Sequence, residues 1–275
     1  MAALNPLVSA DWLHERLSDR DLRVADCRFY LAEPERGHNE YLAGHIPGAR
    51  YFSLDDHLTG ATGPGRHPLP DATTFAESMG RRGIGSDSTV VVYDDAGGGI
   101  AARMWWMLRS LGHEAVYVLD GGLNTWIEES RPMTTNIPFE DPKVFSGAAT
   151  WTGTITADQI ESDRDNLLLI DARAPERFRG DEEPIDPVAG HIPGAVNIPY
   201  AGNVESSGRF LQREVLDERF ATEDSAKTVV SYCGSGVTAC NNLLALAAVG
   251  RTDALLYPGS WSDWGTSGRP IATSP

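Results

Sequence analysis

Short apolar runs alternate along the chain with longer segments whose apolar positions recur every three or four residues. Runs around 22–26, 49–52, 89–93 and 116–119 predict strands in the first half, and runs around 167–170, 195–198, 227–232 and 253–256 predict strands in the second. Helices are expected at 9–17, 71–82, 100–111, 156–162, 213–221 and 239–249, with Ser9, Asp71 and Thr156 placed as N-caps. Apolar strands separated by helix-length segments imply an α/β fold in which a parallel sheet is flanked by helices.

The pattern is written twice. Gly44-His45-Ile46-Pro47-Gly48-Ala49 recurs as Gly190-His191-Ile192-Pro193-Gly194-Ala195, and each copy follows a strand-like run ending in Asp-x-Arg, at Asp26-Cys27-Arg28 and Asp171-Ala172-Arg173. A domain-sized period occurring only twice implies two tandem, similar domains rather than a solenoid. Pro132 to Thr150 carries three prolines and few periodic apolar positions. It reads as a linker, giving a first domain at 1–133, a linker at 134–152 and a second domain at 153–275. The repeated turn is expected to be structural, with proline and glycine shaping the backbone before a strand. His45 and His191 are read as structural with it.

Composition narrows the classes. The chain has 275 residues and a formal charge of −16, which leaves no basic field for nucleic acid or an anionic membrane surface. No apolar run is long enough to span a bilayer, and the first residues lack the basic and apolar regions of a leader, so a cytoplasmic protein is expected. Cys27, Cys233 and Cys240 form neither a paired framework nor a zinc-like spacing. Cys27, at a strand end, and Cys240, about two turns along the helix after the loop, are read as core packing.

Cys233 is different. An apolar run ends at Tyr232-Cys233, and the loop Cys233-Gly234-Ser235-Gly236-Val237-Thr238 leads into a helix-forming segment. Glycines at 234 and 236 permit unusual backbone conformations, and Thr238 is expected to cap the helix. A free thiol has a pKa of about 8.5 and is only about 3% thiolate at neutral pH, so a ring of loop amides at a helix N-terminus, which favours the anion, makes a nucleophile. The alternative is a buried structural cysteine. Aligning the two central strands sets Asp95 opposite Cys233, so only the second domain keeps the thiol, and a single active site in the crevice between domains follows.

The duplicated Gly-His-Ile-Pro-Gly-Ala, the Asp-Ala-Arg strand end and the loop Cys-Gly-Ser-Gly-Val-Thr together resemble the two-domain rhodanese-type sulfurtransferases over essentially the whole chain. The loop is similar to that of 3-mercaptopyruvate sulfurtransferases. Thiosulfate-using rhodaneses usually carry Arg and Lys where Gly234 and Ser235 stand, and a doubly negative donor gains from such cations. The resemblance implies that Arg177 grips the donor's carboxylate or sulfonate, ahead of Arg179, and that Asp55, His67 and Ser235 form a proton relay beside Cys233. It also implies loop contacts to substrate from Gly234, Gly236, Val237 and Thr238. A second arginine that some relatives carry after Arg177 is missing from Asp181 to Asp186, which counts against tight mercaptopyruvate binding. Arg66 is read either as local positive charge or as a solvated surface residue.

The implied activity moves sulfane sulfur from 3-mercaptopyruvate through a Cys233 persulfide to a small thiol, cyanide or a thioredoxin-like dithiol, with no metal or organic cofactor. Three other readings compete. Thiosulfate:cyanide sulfur transfer differs only in the donor. A phosphatase of related fold needs an arginine where Ala239 stands. A non-catalytic rhodanese-like binding module would not require the thiol.

Overall fold

The computed structural model describes residues 5–139, 141–221 and 227–273. Numbered in chain order, the first half runs β1 (Leu7–Val8), α1 (Ala10–Arg16), β2 (Leu22–Asp26), α2 (Arg36–Ala43), β3 (Ala49–Tyr51), α3 (Leu54–His57), α4 (Ala72–Arg81), β4 (Thr89–Tyr93), α5 (Ala101–Ser110), β5 (Val116–Leu119) and α6 (Gly122–Glu128). The second runs α7 (Ala157–Ser162), β6 (Leu167–Asp171), α8 (Pro175–Arg179), β7 (Val196–Asn197), α9 (Arg213–Arg219), β8 (Thr228–Tyr232), α10 (Ala239–Ala248), β9 (Leu255–Leu256) and α11 (Ser260–Trp264).

Each half builds its own parallel sheet, in the orders β1-β5-β4-β2-β3 and β7-β6-β8-β9. The central strands are apolar on both faces because helices cover both, as parallel sheets require. Ser9 and Asp71 each accept from the backbone N–H three residues on, and Thr156 closes a capping box with Gln159. Thr238 departs from expectation: it occupies the N-cap position of α10, but its backbone is already helical and its hydroxyl makes no capping bond.

The duplicated motifs are matching clamps. In β2 and β6 the terminal aspartate pairs with the arginine two residues on, Asp26 with Arg28 at 2.7 Å and Asp171 with Arg173 at 2.6 Å, all four side chains buried. The same guanidinium then donates to the first carbonyl of the repeated turn, Gly44 in one half and Gly190 in the other. His45 and His191 are buried, their Nδ1 atoms 2.7 Å from the carbonyls of Tyr41 and Phe178.

Helices α5 and α10 pack on each other at the junction of the halves. Nearly every residue of both is buried, so the apolar core runs unbroken from Val92 and Leu108 to Leu244 and Leu246. Cys27 and Cys240 lie in this core; burial raises the Cys27 thiol well above its ordinary value and pushes Cys240 up to about 12. Cys240 is the second residue of α10 and so falls in its first turn. The segment between the sheets is a docked strap: Phe145 is buried in the first half's core, and Lys143 and Ala148 donate to Gly80 and Leu111 carbonyls.

Candidate active site

Strand β8 delivers Cys233 to the junction, where it is only 2% exposed. The loop is held from behind by α11. The Cys233 N–H donates to Ser260 Oγ at 3.1 Å, and the Trp261 and Ser262 amides donate to the Cys233 and Gly234 carbonyls at 2.9 Å. Gly236 needs to be glycine, with φ of +76° and the Pro258 carbonyl oxygen 2.4 Å from where a Cβ would sit. The amides of Gly234, Ser235, Gly236 and Val237 find no acceptor among the described residues.

The first half shows what such amides do. Tyr93 and Tyr232 are equivalent, since each pairs with the aspartate ending the neighbouring strand and each hydroxyl accepts from the isoleucine amide of the repeated turn. Asp94, not Asp95, therefore stands where Cys233 does. The first-half loop is one residue longer, seven (94–100) against six (233–238), which is why alignment from the helix side lands on Asp95. The Asp94 carboxylate is buried and accepts four backbone N–H bonds of 2.8–2.9 Å, from Ala96, Gly98, Ile100 and Ala101. At this strand-to-helix junction the amides converge on an anion.

A first-half loop closes over Cys233. His67 Nδ1 lies 2.7 Å from Ser235 Oγ, and its Nε2 lies 3.9 Å from Asp55 Oδ1. The three predicted relay residues thus meet, although 3.9 Å is beyond a direct hydrogen bond. Burial, then Arg103 and Arg66, lowers the His67 pKa to about 4, so the imidazole is neutral at physiological pH. Asp55 is exposed, and its carboxyl is raised by desolvation and by Asp56. A carboxylate on the Nε2 side favours the proton there and leaves Nδ1 to accept from the Ser235 hydroxyl.

Two guanidinium groups flank the loop. A Cβ at Gly234 would lie 3.2 Å from Arg66 Nη2 and 3.5–3.6 Å from the terminal nitrogens of Arg177. Arg66 of the first half thus brings a second guanidinium to the loop, where the 181–186 segment has none. Both arginines are held by acids: Arg66 by Asp186 at 2.6 Å, and Arg177 by Glu183 at 2.7 Å and Asp186 at 3.1 Å. Desolvation raises the Glu183 carboxyl, but hydrogen bonds, chiefly from Arg177, outweigh it, and its pKa ends up lowered. Arg179 is exposed and paired with Asp181. Val237 is buried in the core beneath the loop, and Thr238 is half-buried.

The sequence pattern of the rhodanese-like domain matches residues 9–129 and again 156–267. The chain belongs to the rhodanese family. A probable 3-mercaptopyruvate sulfurtransferase of Pseudomonas aeruginosa is 45% identical across 97% of this chain and 98% of that one. A putative thiosulfate sulfurtransferase of Mycobacterium tuberculosis is 42% identical across 90% of this chain and 89% of its own. The crystal structure of Escherichia coli SseA, described as a 3-mercaptopyruvate sulfotransferase, superposes with a TM-score of 0.83 at 34% identity, covering 94% of this chain and all of that one.

Several residues around this rhodanese loop escaped the sequence reading. Asp186 and Glu183 were visible only as acids in a segment lacking arginine, and Ser260 lies in a five-residue helix too short for a periodic signal. Arg103 left a trace: it is the one charge within the apolar run Ala101 to Leu108. Among the described residues, no helix is long and apolar enough to cross a membrane.

Proposed function

We propose that the chain is a sulfurtransferase with a catalytic second domain (153–275) and a silent first domain (1–133), taking sulfane sulfur from 3-mercaptopyruvate through a Cys233 persulfide. The observation that carries this is the 2.7 Å contact between His67 and Ser235 across the domain junction, beside a cysteine whose loop amides are unclaimed. The thiolate attacks the donor's sulfur, the carbon–sulfur bond breaks, and its electron pair stays on carbon as the pyruvate enolate. The sulfur arrives with its proton. The terminal S–H of the new persulfide gives that proton up, the enolate carbon takes one, and the Ser235–His67 contact offers the transit path. Arg66 and Arg177 hold the donor's carboxylate, with Gly234 leaving room for it. Amides of 234–237 face the persulfide anion as their counterparts face Asp94.

The outer sulfur then passes to a second nucleophile: a small thiol, cyanide or a thioredoxin-like dithiol. A cytoplasmic setting fits the three free thiols. Thiosulfate is the second reading, favoured by the paired guanidinium groups. It is opposed by the two carboxylates that already neutralise them. Intact mass after incubation with 3-mercaptopyruvate is expected to show one added sulfur, absent in Cys233→Ser, and kcat/KM is expected to be higher than for thiosulfate. No sulfur uptake, or uptake retained without Cys233, would sink the enzymatic reading; a preference for thiosulfate would overturn the donor assignment.

A further inference from the structure

Arg103 on α5 is fully buried, and among the described residues no carboxylate pairs with it. Its nitrogens donate to four carbonyl oxygens: Gly236 in the cysteine loop at 3.0 Å, and Leu58, His67 and Pro68 at 3.1, 2.9 and 3.4 Å in the loop that closes over it. Its Nε has no hydrogen-bond partner among the described residues. An isolated buried cation is costly and survives only with a counter-charge or a full set of acceptors. Arginine does not escape by losing its proton at physiological pH. Four neutral carbonyls with one orphaned N–H leave this site short of an anion.

We propose that Arg103 is a positioning residue whose missing counter-charge is the sulfur anion at Cys233, first the thiolate and then the persulfide. The inference rests on the sulfur-transfer reading for the persulfide alone; the thiolate part stands by itself. The first half thus contributes to the chemistry beyond Arg66 and His67: its α5 places a fixed positive charge against the Gly236 carbonyl of the loop that carries the second half's nucleophile. The same guanidinium ties the Gly236 and His67 carbonyls together, setting the loop against the relay. Burial lowers the Arg103 pKa, and Cys240 and Cys233 in anionic form oppose that shift. The other groups around it are few. Cys240 shares the core and His67 lies above, while Arg66 and Arg177 over Gly234 are offset by Asp186 and Glu183.

The test is the pH profile of Cys233 alkylation by the uncharged reagent iodoacetamide, read by peptide mass, in the wild type, Arg103→Gln and Arg103→Lys. Loss of the charge is expected to move the Gln profile about one unit to higher pH, about tenfold slower at neutral pH, while Lys stays near the wild type. A folded Gln variant whose profile overlays the wild type overturns the proposal, and so does a Lys profile displaced as far as Gln. If Gln does not fold, the thermal midpoints of wild type and Cys233→Ser decide between pH 6 and 9. An anion stabilised only in the folded state leaves the unfolded state holding more protons, so the wild type must gain on the variant as pH rises. A constant difference overturns the proposal. Sulfur uptake from 3-mercaptopyruvate is measured on the same wild-type sample: its absence removes the sulfur-transfer reading and leaves the alkylation result intact.

Discussion

Asp186→Asn isolates the charge balance that selects the donor. Arg66 and Arg177 bring two positive charges to Gly234, and Glu183 and Asp186 return two negative ones, so a donor meets a neutralised pair. Asp186 is buried and touches both arginines, which makes it the acid whose removal changes the field most. At an effective dielectric of about 20, one charge acting across about 8 Å is worth about 2 kcal/mol. A dianion such as thiosulfate feels the change twice and a monoanion once, so the preference shifts by that single increment. About 2 kcal/mol is roughly thirtyfold, and screening at the half-exposed Arg66 side reduces it to about tenfold. The assay is kcat/KM for thiosulfate and for 3-mercaptopyruvate at neutral pH and two ionic strengths. The ratio is expected to rise about tenfold toward thiosulfate, and more at low salt. An unchanged ratio, or one moving toward mercaptopyruvate, refutes the view that these acids tune donor choice by charge.

Other outcomes follow from the same geometry. His67→Asn removes the acceptor facing Ser235 and is expected to lower kcat with 3-mercaptopyruvate about a hundredfold while KM changes little; a change confined to KM would make His67 a binding residue. Asp94→Asn replaces an acceptor of four backbone N–H bonds, two of them buried, with a group that accepts at one end only, and is expected to cost about 3 kcal/mol in urea unfolding. A loss under about 1 kcal/mol would mean those amides find other partners. Acid should weaken the fold: His57 and His67, each held neutral by burial with a pKa of about 4, bind protons more readily when unfolded. Stability is therefore complete above about pH 6.5 and falls as pH drops toward 4, by up to about 3 kcal/mol for each histidine. Thermal midpoints across that range for wild type and His57→Gln check it, the variant being expected to show the shallower fall.

The sheets were legible in the sequence because their central strands are buried on both faces and therefore read as continuous apolar runs. β1, with two residues, and α11, with five, are too short to carry a period, and α6 begins on Gly121-Gly122, which masks a helix start. The cysteine and its loop stood out because glycine spacing is a local signal. The company they keep did not, since Arg66 and Asp186 are 120 positions apart and nothing in either segment announces the other. The same limit misplaced the silent counterpart. Helix register points to Asp95, whereas strand register and the matching tyrosine hydroxyl bonds point to Asp94, and the four N–H bonds on its carboxylate agree with the strand.

That choice changes what the first half means. Had Asp95 been the counterpart, the first domain would simply lack a nucleophile. With Asp94 there, it keeps the same convergent amides and fills them with its own carboxylate, so its anion site is closed rather than lost. In the second domain the amides of 234–237 find no acceptor among the described residues, and a serine there contacts a histidine from the other half. The junction therefore places a fixed acid, already bonded by loop amides, in one copy and a thiol in the other, and in the proposed reaction that difference decides which copy reacts. The first domain's contribution has moved across the interface, where Arg66, His67 and Arg103 all reach the second domain's loop. Neither half alone holds the complete arrangement, so in the proposed reaction the packing of α5 on α10 is a condition of the chemistry as well as of the fold.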